Sequence, residues 1–435
     1  MATDLAAFAK KRKIQFFLCS FTDLFGNQRG KLVPAAAATD MQRNGAGFAG
    51  YATWLDMSAM DPDMMAMPDA DAVVQLPWKP EIAWVPCDPH VDGAPVAQAP
   101  RNILKSLVAE AARDNQIMKT GVEPEFFLID SEAQAISDPL DLEIKPCFDQ
   151  AALMRRADVM GEISTHMEAL GWGPYQIDHE DAHGQFEINW GYAPALVTAD
   201  RHALFKVMVK EIATRHGFRA TFMPKPFTHL AGNGCHAHVS LWNKTGKKNL
   251  FADRKGELGL SKACYDFIGG LIKHGTGLSA LMLPTVNSYK RVNAETTASG
   301  STWAPNAISY GGNNRSHMVR IPDAGRIEFR LADGAVNPYL LQAGLLAAGR
   351  IGMAKGINPG KRCDFDAYTH PEKLKRHEKL PLNLLDALRI FEADKDLTAA
   401  LGEDFSKGYV KLRTIDWNNY AAHLTEWERQ TTLDC

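Results

Sequence analysis

Four short segments of the sequence alternate apolar residues with residues that bind ions. Side chains at positions i and i+2 of a β-strand point to the same face, so each segment predicts a strand with one apolar face and one face of acids, histidines or arginines. A half-exposed strand with a solvated face gives the same alternation, but solvated faces favour Lys, Thr and Ser over the repeated Glu, His and Arg seen here. The segments are residues 122–128, 185–190, 236–241 and 326–331.

The carboxylates on these faces predict divalent metal ions. Glu123 and Glu125 are neighbours on one predicted strand face, where like charges repel unless a positive charge lies between them. Carboxylate and imidazole groups are ligands that Mg²⁺ and Mn²⁺ accept. The candidate ligands, enough for two ions, are Glu123, Glu125, Glu180, Glu187, His236 and Glu328.

Five arginines within forty residues predict an anionic substrate. Guanidinium groups bind carboxylates and phosphates bidentately, and metals with arginines are the groups that position a polyphosphate for phosphoryl transfer. The sequence has neither a Walker A loop nor a Gly-x-Gly-x-x-Gly fingerprint, so ATP would bind through metals and side chains. Surface ion pairs are the alternative explanation for any single arginine. The five are Arg291, Arg315, Arg320, Arg326 and Arg330.

The elements that position these faces predict an α+β protein. The first hundred residues are rich in Gly, Pro, Met and aromatic residues and contain strand-like runs without a long amphipathic helix. We therefore expect a small β-rich domain over residues 1–105 and a larger α+β domain over residues 106–435. Helical spacing of apolar residues occurs at 153–170, 202–216, 260–275, 339–355, 382–401 and 417–430.

Composition narrows the choice of partners. The 435 residues include 48 basic and 51 acidic side chains, and the net charge of −3 provides no basic field for nucleic acid. The seven cysteines are scattered and never spaced as Cys-x-x-Cys, which argues against a disulfide framework and fits a reducing cytoplasm. No apolar run approaches the ~20 residues of a membrane span. We expect a cytoplasmic protein without a nucleic-acid or membrane partner.

In combination, these motifs resemble the glutamine synthetase family over nearly the whole chain. They include Glu-Pro-Glu-Phe-Phe at 123–127, Gly-Gln-Phe-Glu at 184–187, His-Ala-His at 236–238, Asn-Arg-Ser at 314–316 and Glu-Phe-Arg at 328–330. The resemblance implies a small β-grasp-like N-terminal domain and a large catalytic domain with a curved antiparallel sheet flanked by helices. It also implies a homo-oligomer, commonly a dodecamer of two stacked rings with active sites between neighbouring subunits.

The resemblance further implies a role for each matched residue. One Mg²⁺ or Mn²⁺ ion would be held by Glu125, Glu180 and Glu187, and the other by Glu123, His236 and Glu328. ATP would contact Tyr192, His238, Ser240, Arg315, Arg320 and Arg326, and L-glutamate would contact Gly232, Arg291 and Arg330. The expected catalytic residues are Asp178, Glu187, Arg315 and Arg330.

The implied reaction is a ligation in two steps. The γ-carboxylate of L-glutamate attacks the terminal phosphate of ATP, and an amine then displaces phosphate from the γ-glutamyl phosphate intermediate. Metals and arginines offset the charge that develops in the first step. The second step requires a neutral amine, and therefore a carboxylate base beside it.

The predicted amine site departs from the family pattern. The family's Phe-Asp-Gly-Ser-Ser motif reads Phe-Ala-Gly-Tyr-Ala at 48–52, and its flap glutamate aligns with Trp303, whereas Asp178 adds an acid where the family has His. An indole face accommodates a methylated cation, so we predict methylamine, bound by Asp178, Glu187 and Trp303 and converted to γ-glutamylmethylamide. An alkylammonium resembles the Lys side chain, with a pKa of ~10.4, and arrives charged, so Asp178 or Glu187 would deprotonate it.

Three alternatives remain open at this point. In the first alternative, the chain is a divergent glutamine synthetase that uses ammonia, and Trp303 only packs within a loop. In the second alternative, the chain is a phosphotransferase that uses the same metals and arginines to phosphorylate a guanidine. This alternative is excluded if ADP release requires both glutamate and an amine. In the third alternative, the chain is a catalytically silent structural relative. Any ATP turnover with Mg²⁺ or Mn²⁺ would exclude it.

Overall fold

The computed structural model describes residues 3–294, 297 and 302–435. Its strands are β1 (Phe16–Thr22), β2 (Gln28–Pro34), β3 (Ala46–Phe48), β4 (Met64–Pro68), β5 (Val74–Leu76), β6 (Lys79–Val91), β7 (Ala94–Pro95), β8 (Ile117–Pro124), β9 (Phe126–Ile129), β10 (Pro174–His179), β11 (Gln185–Trp190), β12 (Ala193–Pro194), β13 (Arg219–Thr221), β14 (Cys235–Trp242), β15 (Tyr310–Gly311), β16 (Val319–Asp323) and β17 (Arg326–Phe329). Its helices are α1 (Leu5–Arg12), α2 (Ala38–Asn44), α3 (Pro100–Arg113), α4 (Gln150–Arg155), α5 (Ala157–Ala169), α6 (Ala195–Arg215), α7 (Lys262–Lys273), α8 (Gly275–Met282), α9 (Ser288–Val292), α10 (Pro338–Lys355), α11 (Leu384–Ala393), α12 (Lys395–Leu401), α13 (Glu403–Ala421) and α14 (Glu426–Thr432).

The first sheet is built from residues 16–95. Its strand order is β2-β1-β6-β4-β3, and β5 and β7 also pair with β6. β1 and β6 run parallel, whereas the other pairs are antiparallel. The next helix, α3, begins at Pro100. The predicted domain boundary near residue 105 therefore falls within α3, and the division into residues 1–105 and 106–435 stays a prediction.

Two further sheets meet at Glu125. The six-stranded sheet has the order β12-β8-β14-β17-β16-β15, and the four-stranded sheet has the order β10-β11-β9-β13. The sequence predicted one strand over residues 122–128, but β8 ends at Pro124, which has no N–H to donate to a partner strand. The Glu125 N–H then bonds to the carbonyl oxygen of Gly234 at 3.1 Å, and the chain continues as β9 in the other sheet.

These two sheets are antiparallel except for the short pair β15–β16. Helices pack against them, and 13 of the 18 residues of the long helix α10 are buried. The Asn337 side chain accepts hydrogen bonds from the first N–H groups of α10, and Gly356 ends it with a φ of 60°. A Cβ at Gly270 of α7 would lie 2.0 Å from the carbonyl oxygen of Ala348, so the contact of α7 with α10 requires glycine. The predicted α+β class is confirmed.

Each predicted helical segment contains helix, but four of the six are divided by a short break. The segment at 417–430 differs most, because α13 begins at Glu403 and ends at Ala421, and α14 begins only at Glu426. Thr425 and Glu428 form a reciprocal capping box that starts the new helix. Among the described helices, none combines the length and the hydropathy of a transmembrane span.

Candidate active site

One cavity of about 620 Å³ brings together most of the predicted site residues. A second cavity, of about 280 Å³, is lined by four of the predicted nucleotide contacts: Tyr192, His238, Ser240 and Arg326. Gly232 and Arg291 line neither cavity. The predicted residues that line the larger cavity are Glu123, Glu125, Asp178, Glu180, Glu187, His236, Trp303, Arg315, Arg320, Glu328 and Arg330.

Strand register assembles the first group of predicted metal ligands. β14 lies between β8 and β17, and it pairs His236 with Glu123 and His238 with Glu328. Nδ1 of His236 lies 3.7 Å from a carboxylate oxygen of Glu123 and 3.7 Å from one of Glu328. These separations are too long for hydrogen bonds and leave room for a cation that all three groups would share.

His238 also belongs to this group, although the sequence assigned it to the nucleotide. Its Nε2 lies 3.0 Å from Oε1 of Glu123, and the ligand atoms of Glu123, His238 and Glu328 all lie within 4.8 Å of one another. Burial opposes the charge of Glu123, but the nearby ring of His236, together with the hydrogen bond and charge of His238, outweighs it and holds the pKa of Glu123 well below the usual range. His238 therefore stands between the two cavities, in contact with both a predicted metal ligand and the nucleotide side.

The second group of predicted metal ligands, Glu125, Glu180 and Glu187, crowds negative charge into a buried space. Burial, followed by the charges of Glu125 and Asp178, raises the pKa of Glu180 to about 8. Burial, followed by the charges of Glu123 and Glu180, raises the pKa of Glu187 well above its usual range. A divalent cation among these carboxylates would reverse both shifts.

The donor set fits two hard divalent cations. Carboxylate oxygens dominate it, as Mg²⁺ and Mn²⁺ prefer, and the imidazoles of His236 and His238 add nitrogen donors to the first group. Nε2 of the buried His236 also has no hydrogen-bond partner among the described residues, so the protein itself does not use the full binding capacity of this ring. The raised pKa values of Glu180 and Glu187 point the same way, because they mark a site that lacks positive charge.

Three arginines line the same cavity as the acids, and two of them bond to Glu328. Nη1 of Arg320 lies 2.6 Å from Oε2 of Glu328, and Nη1 of Arg330 lies 2.5 Å from its Oε1. Burial opposes the ionisation of Glu328, but the charge of Arg330, with that of the two histidines, lowers its pKa to about 2. Burial and the charge of Arg320 lower the pKa of Arg315. The cluster suits an anionic ligand, which would relieve repulsion among the guanidinium groups.

Arg291 and Gly232 lie next to each other, outside the lining of both cavities. Arg291 is buried, its Nη1 donates to the carbonyl oxygen of Leu331 at 3.3 Å, and its Nε has no partner in the described part of the chain. A Cβ at Gly232 would lie 3.1 Å from a side-chain carbon of Arg291 and 2.2 Å from the carbonyl oxygen of Pro224, so only glycine fits there. A buried guanidinium with an unused donor suits a carboxylate.

The predicted amine residues share the cavity with aromatic residues that sequence reasoning missed. Trp303 lines it with a φ of 51°, an uncommon conformation for a bulky residue. Phe148 and Tyr175 also line it, with Lys145, Cys147 and Gln176. The loop that contains residues 145–148 has no periodic pattern, so the sequence offered no signal for it. Gln176 lies two residues before Asp178 on β10, and the period of two predicts its position.

The second cavity contains Lys119 and Trp242 besides the predicted nucleotide contacts. Nζ of Lys119 lies 4.3 Å from the centre of the Trp242 ring and 5.9 Å from that of Tyr192. The sequence could have predicted Lys119 as a site residue, because positions 119, 121 and 123 share one face of β8. An open groove with aromatic rings and cations suits a nucleotide that reaches from here into the larger cavity.

Comparison with known proteins identifies the class. The chain matches the family described as "Glutamine synthetase, catalytic domain" over residues 97–432. It therefore belongs to the glutamine synthetase family, as the motifs predicted, and is a ligase that joins ammonia or an amine to glutamate. The family uses ATP and divalent metals, which agrees with the donor set of the larger cavity.

Individual relatives carry two different names. A protein of Rhizobium leguminosarum bv. phaseoli named glutamine synthetase is 57% identical over 434 residues and is matched along 100% of both chains. A protein of Methyloversatilis universalis named glutamate–methylamine ligase is 39% identical over 441 residues and 99% of both chains. A solved structure entitled "GmaS/ADP complex-Conformation 1" is 59% identical, covers 100% of both chains and has a TM-score of 0.96.

Proposed function

We propose that this chain ligates methylamine to the γ-carboxylate of L-glutamate and forms γ-glutamylmethylamide, ADP and phosphate. One observation carries the proposal: Trp303 and Asp178 line the same cavity as Glu187. An ammonium ion needs only carboxylates and hydrogen-bond acceptors, whereas a methylammonium ion also presents an apolar face. Aromatic rings next to carboxylates accommodate both parts of that ion.

The carboxylates have the geometry that this cation requires. Asp178 of β10 and Glu187 of β11 are direct partners across the antiparallel pair, so their side chains are neighbours that repel each other when both are ionised. A cation between them removes this repulsion. Phe148 and Tyr175, which line the same cavity, extend the aromatic wall beyond Trp303.

Asp178 has the features of the base that deprotonates the amine. Its pKa is raised by burial, with a further contribution from the charge of Glu123, against the hydrogen bond that Gln176 donates at 2.6 Å. A carboxylate with a raised pKa accepts a proton more readily from an alkylammonium ion. Loss of that proton frees the nitrogen lone pair, which attacks the γ-carbonyl carbon as phosphate leaves.

The first step draws on the remaining groups. Glu125, Glu180 and Glu187 would hold one divalent ion and Glu123, His236 and Glu328 the other, and the ions would act as Lewis acids on phosphoryl oxygens. Arg315, Arg320 and Arg330 orient the phosphates and offset the charge that develops during transfer. Gly232, Arg291 and Arg330 hold the glutamate, and Tyr192, His238, Ser240 and Arg326 hold the remainder of ATP. The roles towards the metals and ATP rest on the residues that line the two cavities. The roles of Arg291 and Gly232 rest on the buried guanidinium with an unused donor and on the contact between the two residues.

Ammonia is the second candidate substrate, and the names of two relatives favour it. The proteins of Rhizobium leguminosarum bv. phaseoli and Rhizobium meliloti, each 57% identical to this chain over 434 residues, are both named glutamine synthetase. The solved structure at 59% identity is entitled GmaS, an abbreviation of γ-glutamylmethylamide synthetase. Overall identity therefore does not separate the two substrates, and the residues of the amine site decide our proposal.

We also propose that the enzyme is a cytoplasmic homo-oligomer, a dodecamer of two stacked rings, in which neighbouring subunits complete each active site. Support comes from the family to which the chain belongs. Light scattering on purified protein tests the assembly, and the proposal predicts a mass about twelve times that of one chain.

The test of the proposed reaction is ADP release with each substrate omitted in turn. We expect release with Mg²⁺ or Mn²⁺ only when ATP, glutamate and methylamine are all present, together with γ-glutamylmethylamide detected by mass spectrometry. Release that requires no amine would contradict the ligase mechanism, and turnover with ammonia alone would replace methylamine by the second candidate.

A further inference from the structure

One buried amide bridges a predicted metal ligand and the predicted glutamate site. Nε2 of Gln185, at the start of β11, lies 2.9 Å from Oε2 of Glu125, 3.0 Å from Oδ1 of Asn233 and 3.2 Å from the carbonyl oxygen of Gly232. Gln185 is 1% exposed. An amide nitrogen has only two hydrogens, so these three acceptors share the two donors. Movement of any one of the acceptors therefore changes the hydrogen bonds of the others.

Asn233 extends this bridge into the loop of residues 222–234, which we call the glutamate loop. Its Nδ2 donates to the carbonyl oxygens of Thr221 and Met223 at 3.2 and 2.9 Å, and its backbone N–H donates to that of Pro224 at 2.8 Å. Asn233 is fully buried. One side chain thus fixes both the beginning and the end of the glutamate loop, with its carbonyl group facing Gln185.

Glu125 accepts a second hydrogen bond, and this one comes from the glutamate loop. Oε2 of Glu125 accepts from the N–H of Gly234 at 2.6 Å as well as from Gln185. The carboxylate is therefore oriented by the glutamate loop and by β11 together. A cation that draws Glu125 towards itself pulls on Gln185 and Gly234, and through them on the carbonyl group of Gly232.

We propose that Gln185 and Asn233 are positioning residues that couple metal binding at Glu125 to glutamate binding at Gly232. The inference rests on the metal and glutamate sites proposed above. Because linkage is reciprocal, glutamate must tighten metal binding by the same factor by which metal tightens glutamate binding. The coupling factor is the ratio of the Mn²⁺ dissociation constants measured without and with saturating L-glutamate.

The experiment measures free Mn²⁺ by electron paramagnetic resonance during titration of the full-length protein. We expect a coupling factor of roughly 5- to 150-fold in the wild type, the usual range for linked sites. Gln185→Met preserves size and removes the hydrogen bonds, and we expect its coupling factor to fall to about one. Gln342→Met is the matched control, because Gln342 is also a buried glutamine, and its amide makes no hydrogen bond within the described residues.

The coupling factor separates positioning from structural damage. A variant that is merely destabilised binds both ligands more weakly, but the ratio stays at the wild-type value. Asn233→Ser removes the carbonyl that faces Gln185, and it provides the same test if Gln185→Met does not fold. The inference about Gln185 and Asn233 is overturned if both variants keep the coupling factor of the wild type, or if the wild type itself has a coupling factor of one. Neither result affects the proposed ligase function. A wild-type protein that binds no Mn²⁺ overturns the proposed metal site as well.

Discussion

Arg101 of α3 and Asp200 of α6 are joined by two hydrogen bonds of 2.9 Å, one from Nε and one from Nη2. The same guanidinium lies 2.5 Å from Asp88 and 2.9 Å from Asp69, which belong to the region of the first sheet. Arg101 is 1% exposed. Burial opposes its charge, but Asp200 and the other carboxylates more than compensate and raise its pKa. This arginine therefore joins the first sheet to the helices of the catalytic region.

Arg101→Met should destabilise the protein strongly. The substitution removes the buried cation that pairs with Asp200 and Asp88, whose remaining partners are Tyr339 and Lys105. Loss of one member of a buried ion pair costs about 3–5 kcal/mol, and the thermal unfolding midpoint reports this loss. Arg350→Met is the control, because Arg350 pairs with Glu110 and Asp114 at the surface, where an ion pair contributes about 0–1 kcal/mol. Equal shifts in the two variants would contradict the role of the buried network.

His202 should make the stability of the protein depend on pH. It is fully buried on α6, and neither ring nitrogen has a hydrogen-bond partner among the described residues. Burial, with the charge of Lys206, holds its pKa well below the usual 6.5. Because the pKa in the folded state is the lower one, the unfolded chain binds more protons below about pH 6.5. Stability is therefore complete above that pH and falls as the solution is acidified.

His202→Leu should remove this contribution. Below pH 6.5 the wild type loses up to ~1.4 kcal/mol for each pH unit through this residue, and we expect the variant to show a flatter decline of the unfolding midpoint between pH 6.5 and 5.5. His370→Leu, at an exposed position, is the control and should keep the wild-type slope. If the unfolding midpoint of His202→Leu declines with acidification as steeply as that of the wild type, another group causes the loss of stability at low pH.

Asp178→Asn should impair the amine step selectively. The substitution keeps the shape of the side chain but removes its ability to accept a proton, and loss of a general base typically costs ~10²–10⁴-fold in rate. We expect kcat/KM for methylamine to fall within that range, with the KM for ATP within about twofold of the wild type. Asp396→Asn, which loses only a surface pair with Lys355, should retain full activity. A comparable loss in ATP affinity would indicate general damage to the cavity.

Trp303→Ala should change the choice of amine more than the rate with ammonia. A cation over an indole ring contributes up to about 2 kcal/mol in a desolvated site, so we expect the ratio of kcat/KM for methylamine to that for ammonia to fall by ~10-fold. Trp303→Phe keeps an aromatic face and should retain most of the ratio. If the alanine variant keeps the wild-type ratio, the indole does not select the methyl group.

The period of two predicted which face of a strand each acid and histidine occupies, because alternation along a strand is a local property. His236 and Glu328 were placed on such faces from sequence and do line one cavity. The pairing of His238 with Glu328 was not predictable, because register depends on which strands become neighbours. The change of sheet at Glu125 was missed for the same reason, although Pro124 marked it.

The resemblance of the motifs to the family identified candidate site residues that strand periodicity could not identify. Arg315 and Trp303 lie outside regular strands, and only the order of motifs assigned them to the cavity that they line. Phe148 and Tyr175 belong to no matched motif and were therefore missed. Gln185 begins one of the four alternating segments, but its three acceptors come from segments distant in sequence, so only the folded structure reveals the bridge.

A competition assay tests the central claim most directly. The enzyme receives ATP, glutamate and equal concentrations of ammonia and methylamine, and mass spectrometry measures γ-glutamylmethylamide and glutamine in the same vessel. The initial product ratio equals the ratio of kcat/KM for the two amines. We predict an excess of γ-glutamylmethylamide, because Asp178, Glu187 and Trp303 line one cavity. An excess of glutamine would contradict the account and identify ammonia as the preferred substrate.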